Sequence, residues 1–221
     1  RGLRAFDSLS LARSVCNSLA TMAMFDSGTN IRLLYNLIDF DHFEMSNLLG
    51  NTINFGMISS NNPQKGLVEF IGIAQICAKR FPQARFIVVG PITPVVKQAK
   101  ACQNRGQLTK NLIFTGYIKD SRQAVSMINV MLSLSEVPES FGRSIAEGIA
   151  AEKPVIAINS GAMPELVKHS HNGFLVKPKD IKALQKYIEF FCEHPDKIVS
   201  MGKLGKKFLL HIFPKRYFSI N

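Results

Sequence analysis

Residues 139–159 read ESFGRSIAEGIAAEKPVIAIN and run from an apolar helix into a buried strand, the transition that decides the fold. Glu139 and Glu147 lie on either side of a Phe-Gly turn and of the opening of that helix. One carboxylate therefore precedes the helix and the other lies inside it. Because backbone N–H groups and the macrodipole favour anions at a helix N-terminus, both carboxylates can face one ligand there.

Short apolar runs on both sides of this stretch predict further strands, and helical patterns separate them. Their hydrophobicity is continuous rather than alternating, which is typical of parallel strands that are covered on both faces. Apolar residues recur at helical spacing between Leu67 and Phe81 and between Leu184 and Phe191. The alternation predicts a doubly wound α/β domain. The predicted strands are 84–90, 111–116, 130–135, 154–159 and 173–176.

A different unit precedes this domain. Residues 13–18 and 31–36 are predicted to be two strands that flank a helix over 19–25, and residues 37–43 form a connector. We expect a domain boundary near residue 45. The sequence opens at Arg1 without an initiator Met, so we expect it to be a piece of a longer protein.

Composition indicates a globular protein with a basic surface. The chain has 221 residues, of which 46% are hydrophobic. It has no apolar run near the roughly 18 residues that a membrane helix needs. A net charge of +11 indicates attraction to phosphates, nucleic acid or anionic lipid. Four scattered cysteines suggest a reducing compartment, and hence the cytoplasm. The lysines at 177, 179, 182 and 186 form a solvated face that leaves peripheral docking to an anionic membrane open.

Several stretches, in this order and spacing, are similar to one enzyme family. They are SVCNS (14–18), YNLID (35–39), PQKG (63–66), FIVVG (86–90), FTGY (114–117), the glutamate pair, GAMPELV (161–167) and NGFLV (172–176). The whole chain resembles the C-terminal portion of a group 1 (family 4) retaining glycosyltransferase with the GT-B fold. The resemblance implies three parts. Residues 1–45 end the N-terminal domain and form the connector, 46–212 form a Rossmann-like nucleotide-sugar-binding domain, and 213–221 start a truncated final helix.

The resemblance also implies site residues. Glu147 would accept hydrogen bonds from the ribose hydroxyls of a sugar nucleotide, and Glu139 would lie near the transferred sugar. Lys65 would contact the donor diphosphate. Asn62 can cap a helix and Pro63 suits its first position, so Lys65 is predicted in the first turn of a helix. We therefore expect Glu139 and Lys65 to be catalytic. The expected donor-binding residues are Ser60, Lys65, Gly66, Gly90, Phe141, Gly142, Arg143, Ser144 and Glu147.

One position departs from the family pattern. The family carries an Arg in a G-R-L segment about five residues before the lysine, and Ser60 lies nearest that position here. A hydroxyl donates a hydrogen bond but supplies neither charge nor a bidentate fork. Either other groups stabilise the leaving phosphate, with Arg143 one candidate, or catalysis is weak or absent.

The expected activity is transfer of a hexose from a nucleoside-diphosphate sugar to an acceptor that the missing N-terminal domain holds. The fragment alone is then expected to be inactive. No metal or cofactor is expected, since Asp39 and Asp41 form a D-x-D only in the connector. No nucleic-acid partner is expected, because the sequence lacks an aromatic-rich basic platform and a helix-turn-helix signal.

Two alternatives remain. A nucleotide-sugar epimerase shares the GT-B architecture and would need no acceptor. A basic non-enzymatic module for nucleic acid or lipid would show a steep salt dependence of binding. A dinucleotide oxidoreductase is disfavoured, because the glycine-rich fingerprint of that class is missing.

Overall fold

The computed structural model describes residues 14–25, 31–43 and 50–213. The first two segments form a small unit in which β1 (Ser14–Cys16) pairs in parallel with β2 (Ile31–Leu33). The short helix α1 (Leu19–Met22) follows β1, and its N-cap residue Ser18 accepts a hydrogen bond from the amide of Thr21. The unit precedes the main domain in the sequence.

The main domain contains six strands with helices between them. The strands are β3 (Ile53–Ile58), β4 (Ala84–Val89), β5 (Leu112–Gly116), β6 (Val130–Ser133), β7 (Val155–Ile158) and β8 (Gly173–Val176). The helices are α2 (Leu67–Arg80), α3 (Pro94–Asn104), α4 (Ser121–Ser126), α5 (Arg143–Ala150), α6 (Met163–Leu166), α7 (Ile181–Glu193) and α8 (Pro195–Ile212).

All six strands are parallel, in the order β5-β4-β3-β6-β7-β8. The chain starts at the centre with β3, moves outward to β5, and then returns to place β6 on the other side of β3. The order therefore reverses between β3 and β6, and ligands bind such sheets at this switch point, outside the carboxyl ends of the strands. The predicted doubly wound parallel sheet is confirmed.

The continuous hydrophobicity of the strands has a direct structural cause. In β4, Phe86 and Val88 lie in one hydrophobic cluster, with residues of α2 and α7. Their neighbours Ile87 and Val89 lie in a second cluster, with residues of α5 and α8. Successive side chains of a strand point to opposite faces, and here both faces are buried.

The sequence analysis missed the central strand β3. Its sequence, INFGMI, places Asn54 and Gly56 among the apolar residues and hides the continuous apolar pattern. Gly56 is needed because a Cβ there would overlap the side chain of Ile128. Four of the five predicted strands are one or two residues shorter in the structure than expected, and the strand at 173–176 has the expected bounds. In the N-terminal unit both strands have three residues, and the predicted helix over 19–25 ends at Met22.

Two expectations fall on residues outside the described segments. The boundary near residue 45 lies within 44–49, and the final helix was expected over 213–221, of which the structure describes only Phe213. Phe213 is the C-terminal cap of α8. Among the described helices, none is long and apolar enough to cross a membrane.

Candidate functional site

A pocket opens at the switch point of the sheet. The carboxyl ends of β3 and β6 form its floor, and the start of α5 and the turn that contains Lys65 form its sides. The lining residues are Met57, Ile58, Ser59, Ser60, Lys65, Leu132, Ser133, Leu134, Ser135, Glu139, Gly142, Arg143, Ser144 and Ile145. The topology of the sheet and the position of the pocket therefore agree on where a ligand binds.

The turn before α5 brings backbone to the wall of this pocket. Gly142 adopts a left-handed conformation with φ of 77°, and a Cβ at this position would overlap the terminal methyl of Met163. The amides of Ile145 and Ala146 both donate to the carbonyl of Gly142 at 3.0 Å, which starts the helix. The N-cap residue is a glycine and therefore has no side chain that could cap this N-terminus. The first backbone amides of α5 are therefore available to an anion.

Lys65 ends a separate turn rather than lying in the first turn of a long helix. Residues Pro63–Lys65 form a 3-10 turn, and Gly66 then adopts a left-handed conformation with φ of 75° before α2 begins. Asn62 is the N-cap residue and Pro63 is the first residue of this turn, as predicted, but the side chain of Asn62 makes no capping bond. The left-handed Gly66 separates the two elements, and a Cβ there would overlap the carbonyl oxygen of Leu134. This close approach holds the turn against the end of β6.

Two ion pairs join the predicted site residues. The Nζ atom of Lys65 lies 2.7 Å from Oε1 of Glu139, and their side chains are 30% and 26% exposed. The Nε atom of Arg143 lies 2.9 Å from Oε1 of Glu147 within α5. The Glu147 side chain is only 11% exposed, whereas that of Arg143 is 74% exposed. Each glutamate thus forms an ion pair with one basic side chain of the pocket lining.

Asn61 fixes the loop that follows β3. It is buried and has φ of 54°, a left-handed value that Asn tolerates better than most residues. Its amide group accepts from the hydroxyl of Ser59 at 3.0 Å and donates to the carbonyl of Pro91 at 3.1 Å. The hydroxyl of Thr93, the N-cap of α3, donates to the carbonyl of Asn61. This network orients the exposed Ser60 at the pocket.

The structure brings six of the predicted residues together in the pocket lining and leaves four outside it. Those in the lining are Ser60, Lys65, Glu139, Gly142, Arg143 and Ser144. Those behind it are Gly66, Gly90, Phe141 and Glu147. Gly90 follows β4 and lies against Ser59 and Asn61. Glu147 reaches the lining through its contact with Arg143.

Phe141 supports the turn from below. It is 2% exposed, and its ring centroid lies 6.3 Å from that of Tyr35 and 5.9 Å from that of Phe213. The hydroxyl of Thr21 also lies 3.4 Å from the carbonyl oxygen of Ser140. Tyr35, Thr21 of α1 and the end of α8 therefore support the segment between the two glutamates.

The sequence analysis missed several residues of the site. Ser59 and Asn61 follow the strand that it did not recognise, so their position at the sheet edge was hidden. Ser133 and Ser135 lie at the end of β6, and their polar side chains at the close of an apolar run are the signal that could have found them.

The D-x-D of the connector lies apart from the pocket lining. Asp39 accepts a hydrogen bond from the amide of His42 at 2.9 Å. Among residues 14–25, 31–43 and 50–213, no three His, Cys, Asp or Glu side chains are grouped so as to hold a metal ion. A reaction without metal stays an expectation.

Comparison with known proteins gives a consistent result. The family described as "Glycosyl transferases group 1" matches residues 40–208. The putative glycosyltransferase EpsD of Bacillus subtilis is 26% identical over 159 residues, which cover 72% of this chain and 40% of that protein. The alpha-1,3/1,6-mannosyltransferase ALG2 of Mus musculus is 30% identical over 112 residues, which cover 50% of this chain and 26% of that protein. The chain thus spans less than half the length of these relatives.

Solved structures share the fold. Alr3699/HepE of Anabaena, crystallised with UDP and glucose, superposes with a TM-score of 0.78 at 27% identity and covers 90% of this chain and 58% of that one. The same protein crystallised with UDP-glucose gives a TM-score of 0.78 at 26% identity, covering 90% of this chain and 59% of that one.

Proposed function

Since the chain belongs to the group 1 glycosyltransferases and shares the GT-B fold, we propose that its pocket binds a nucleoside-diphosphate sugar. The full protein would then transfer the sugar, a hexose, to an acceptor with retention of configuration. The observation that carries this proposal is the position of Lys65, the uncapped start of α5 and Glu139 in one pocket at the switch point of the sheet. UDP is the first candidate nucleotide, because a similar structure was crystallised with it.

The charges of the pocket suit a diphosphate. The ammonium of Lys65 and the backbone amides at the start of α5 would hold the phosphate oxygens. The left-handed conformation of Gly142 sets the direction of the backbone where α5 starts in the wall of the pocket. Arg143 would supply a second cation and so replace the arginine that Ser60 does not provide. Transition-state stabilisation would come from placing these groups where charge develops on the leaving diphosphate.

The two glutamates would recognise hydroxyl groups. An ionised carboxylate accepts two or more hydrogen bonds, which suits the vicinal diol of a ribose. We assign Glu147 to the ribose and Glu139 to the transferred sugar. Phe141 would keep the two at a fixed separation, since its buried ring supports the turn between them.

Isothermal titration calorimetry with UDP, GDP and ADP tests the proposal. Binding of at least one of them is expected, with UDP the tightest. The same preparation should transfer no sugar to water or to added acceptors, because we expect the acceptor site to need the rest of a two-domain protein. If no nucleoside diphosphate gives heat or a thermal shift at millimolar concentration, the proposed site is wrong.

A further inference from the structure

We propose that the pocket prefers a nucleoside-diphosphate sugar to the free nucleoside diphosphate, because Glu139 competes with a free terminal phosphate for Lys65. This inference rests on the proposed function and extends it to selectivity between substrate and product.

The ammonium of Lys65 already has an anionic partner within the pocket lining. Lys65 Nζ and Glu139 Oε1 are 2.7 Å apart, within reach of a charge-assisted hydrogen bond. Both side chains line the pocket and are partly exposed, so an incoming phosphate can reach the ammonium. A phosphate oxygen bound to this ammonium lies close to the Glu139 carboxylate as well. The two anions then share one cation.

Charge decides how unfavourable this sharing is. The terminal phosphate of a free nucleoside diphosphate has a single substituent, the anhydride link, and its second ionisation lies near pH 6, so at neutral pH it carries close to two negative charges. The same phosphate in a nucleotide sugar has a second substituent, the sugar, and carries one negative charge. At short separation in a half-buried pocket, each additional like charge is strongly felt. Glu139 therefore repels the free diphosphate more than the sugar-linked one.

The sugar adds a second difference. A hexose next to the diphosphate brings hydroxyl groups that donate hydrogen bonds to Glu139. These bonds offset the weaker contact between Glu139 and Lys65. The free diphosphate brings no such donor. After transfer of the sugar, the product therefore has more charge and fewer hydrogen bonds at Glu139 than the substrate had, which favours its release.

The second ion pair is arranged differently. Glu147 is largely enclosed at 11% exposure, and its partner Arg143 lies four residues before it on the same helix. The proposed competition concerns the Lys65–Glu139 pair, whose two members come from distant parts of the chain.

Replacing Glu139 with Gln tests the inference, because the amide keeps the shape and removes the charge. The affinities of UDP and UDP-glucose are measured by calorimetry for the wild type, Glu139→Gln and Glu189→Gln. Glu189 pairs with Arg80 at 3.0 Å outside the pocket lining and is similarly shielded, which makes it a matched control. We expect Glu139→Gln to bind UDP about threefold to tenfold more tightly and UDP-glucose no more tightly, with no change for Glu189→Gln.

The outcomes distinguish a failure of the proposed competition from a failure of the proposed function. If the wild type binds UDP and Glu139→Gln binds it with equal or lower affinity, the competition is refuted and the proposed function stands. If none of the three proteins binds either ligand, the proposed function falls together with the inference. Glu139→Ala, which also removes the charge, should tighten UDP binding in the same direction and so replaces Glu139→Gln if that variant is unstable.

Discussion

The hydroxyl of Tyr35 donates to Oε2 of Glu165 at 2.9 Å, although the two residues are 130 positions apart. The same carboxylate accepts the amides of Leu19 and Ala20, each at 2.9 Å. One side chain of α6 therefore accepts hydrogen bonds from the start of α1 and from Tyr35, which follows β2. This cluster ties the N-terminal unit to the domain that contains the pocket.

Glu165→Gln should weaken that tie. The neutral amide offers one acceptor oxygen where the carboxylate offers two, and its NH2 group opposes one of the three donors. We expect the free energy of unfolding to fall by about 1–3 kcal/mol, the cost of leaving such donors unsatisfied. Urea denaturation measures this. Glu136→Gln, on an exposed acid of the loop after β6, is the control and should change stability little. Equal loss in both variants would contradict the role of Glu165.

Tyr35 predicts a pH dependence of stability. Burial, together with the hydrogen bond to Glu165 and its charge, raises the pKa of Tyr35 to about 12 from the usual 10.0. The folded state therefore keeps the proton that the unfolded state loses, and stability falls as the pH rises from 10 to 12. Tyr35→Phe should remove this part of the decline. Unfolding free energies measured across this pH range for the two proteins give the comparison, and parallel curves would show that Tyr35 is not responsible.

Glu147→Ala should weaken UDP binding by roughly 1.5–3 kcal/mol, the range for hydrogen bonds to a charged group. A second ligand makes this specific to the ribose. The wild type should bind 2′-deoxy-UDP more weakly than UDP, whereas the variant should bind both alike. Calorimetry with the four combinations gives the coupling energy directly. Retained discrimination in Glu147→Ala would assign the diol to another residue.

Ser60→Arg should strengthen UDP binding, because it places a cation where the pocket lining now has a hydroxyl. The gain should shrink as salt is added, and uridine, which has no phosphate, should bind unchanged. Lys65→Ala should act in the opposite direction. Ser126→Arg adds the same charge at an exposed serine outside the lining and is the control. Equal gains at both positions would show that net charge, rather than this loop, controls binding.

The sequence allowed prediction of the parallel sheet because both faces of its strands are covered. Val155–Ile158 is buried at every position, and such a run is visible without any knowledge of the fold. β3 has the same environment, but Asn54 and Gly56 interrupt its pattern. The side chain of Asn54 donates to the carbonyl of Met127, and Gly56 lies against the side chain of Ile128; both partners are more than 70 residues away in the sequence. Local patterns do not contain that information.

The glutamate pair could be recognised from the local sequence, since a turn and a helix start lie between its members. The ion-pair partners of the two glutamates differ in how far away they lie in the sequence. Arg143 and Glu147 are one helical turn apart, a spacing that predicts contact. Lys65 and Glu139 are 74 residues apart, and only the left-handed Gly66 and the approach of its turn to Leu134 bring them together. That pairing required the tertiary structure.

Gly142 lies in the wall of the pocket and Gly66 lies behind the lining, and in each case a neighbouring atom occupies the space of a Cβ. Close packing against Met163 and Leu134 therefore sets the path of the main chain at these two points. Main chain that is held in this way keeps its shape while the surrounding side chains change in evolution, since every amino-acid sequence supplies the same backbone. It follows that the two glycines should resist substitution across divergent homologues, whereas the identities of neighbouring residues such as Ser60 and Arg143 are free to change with the ligand.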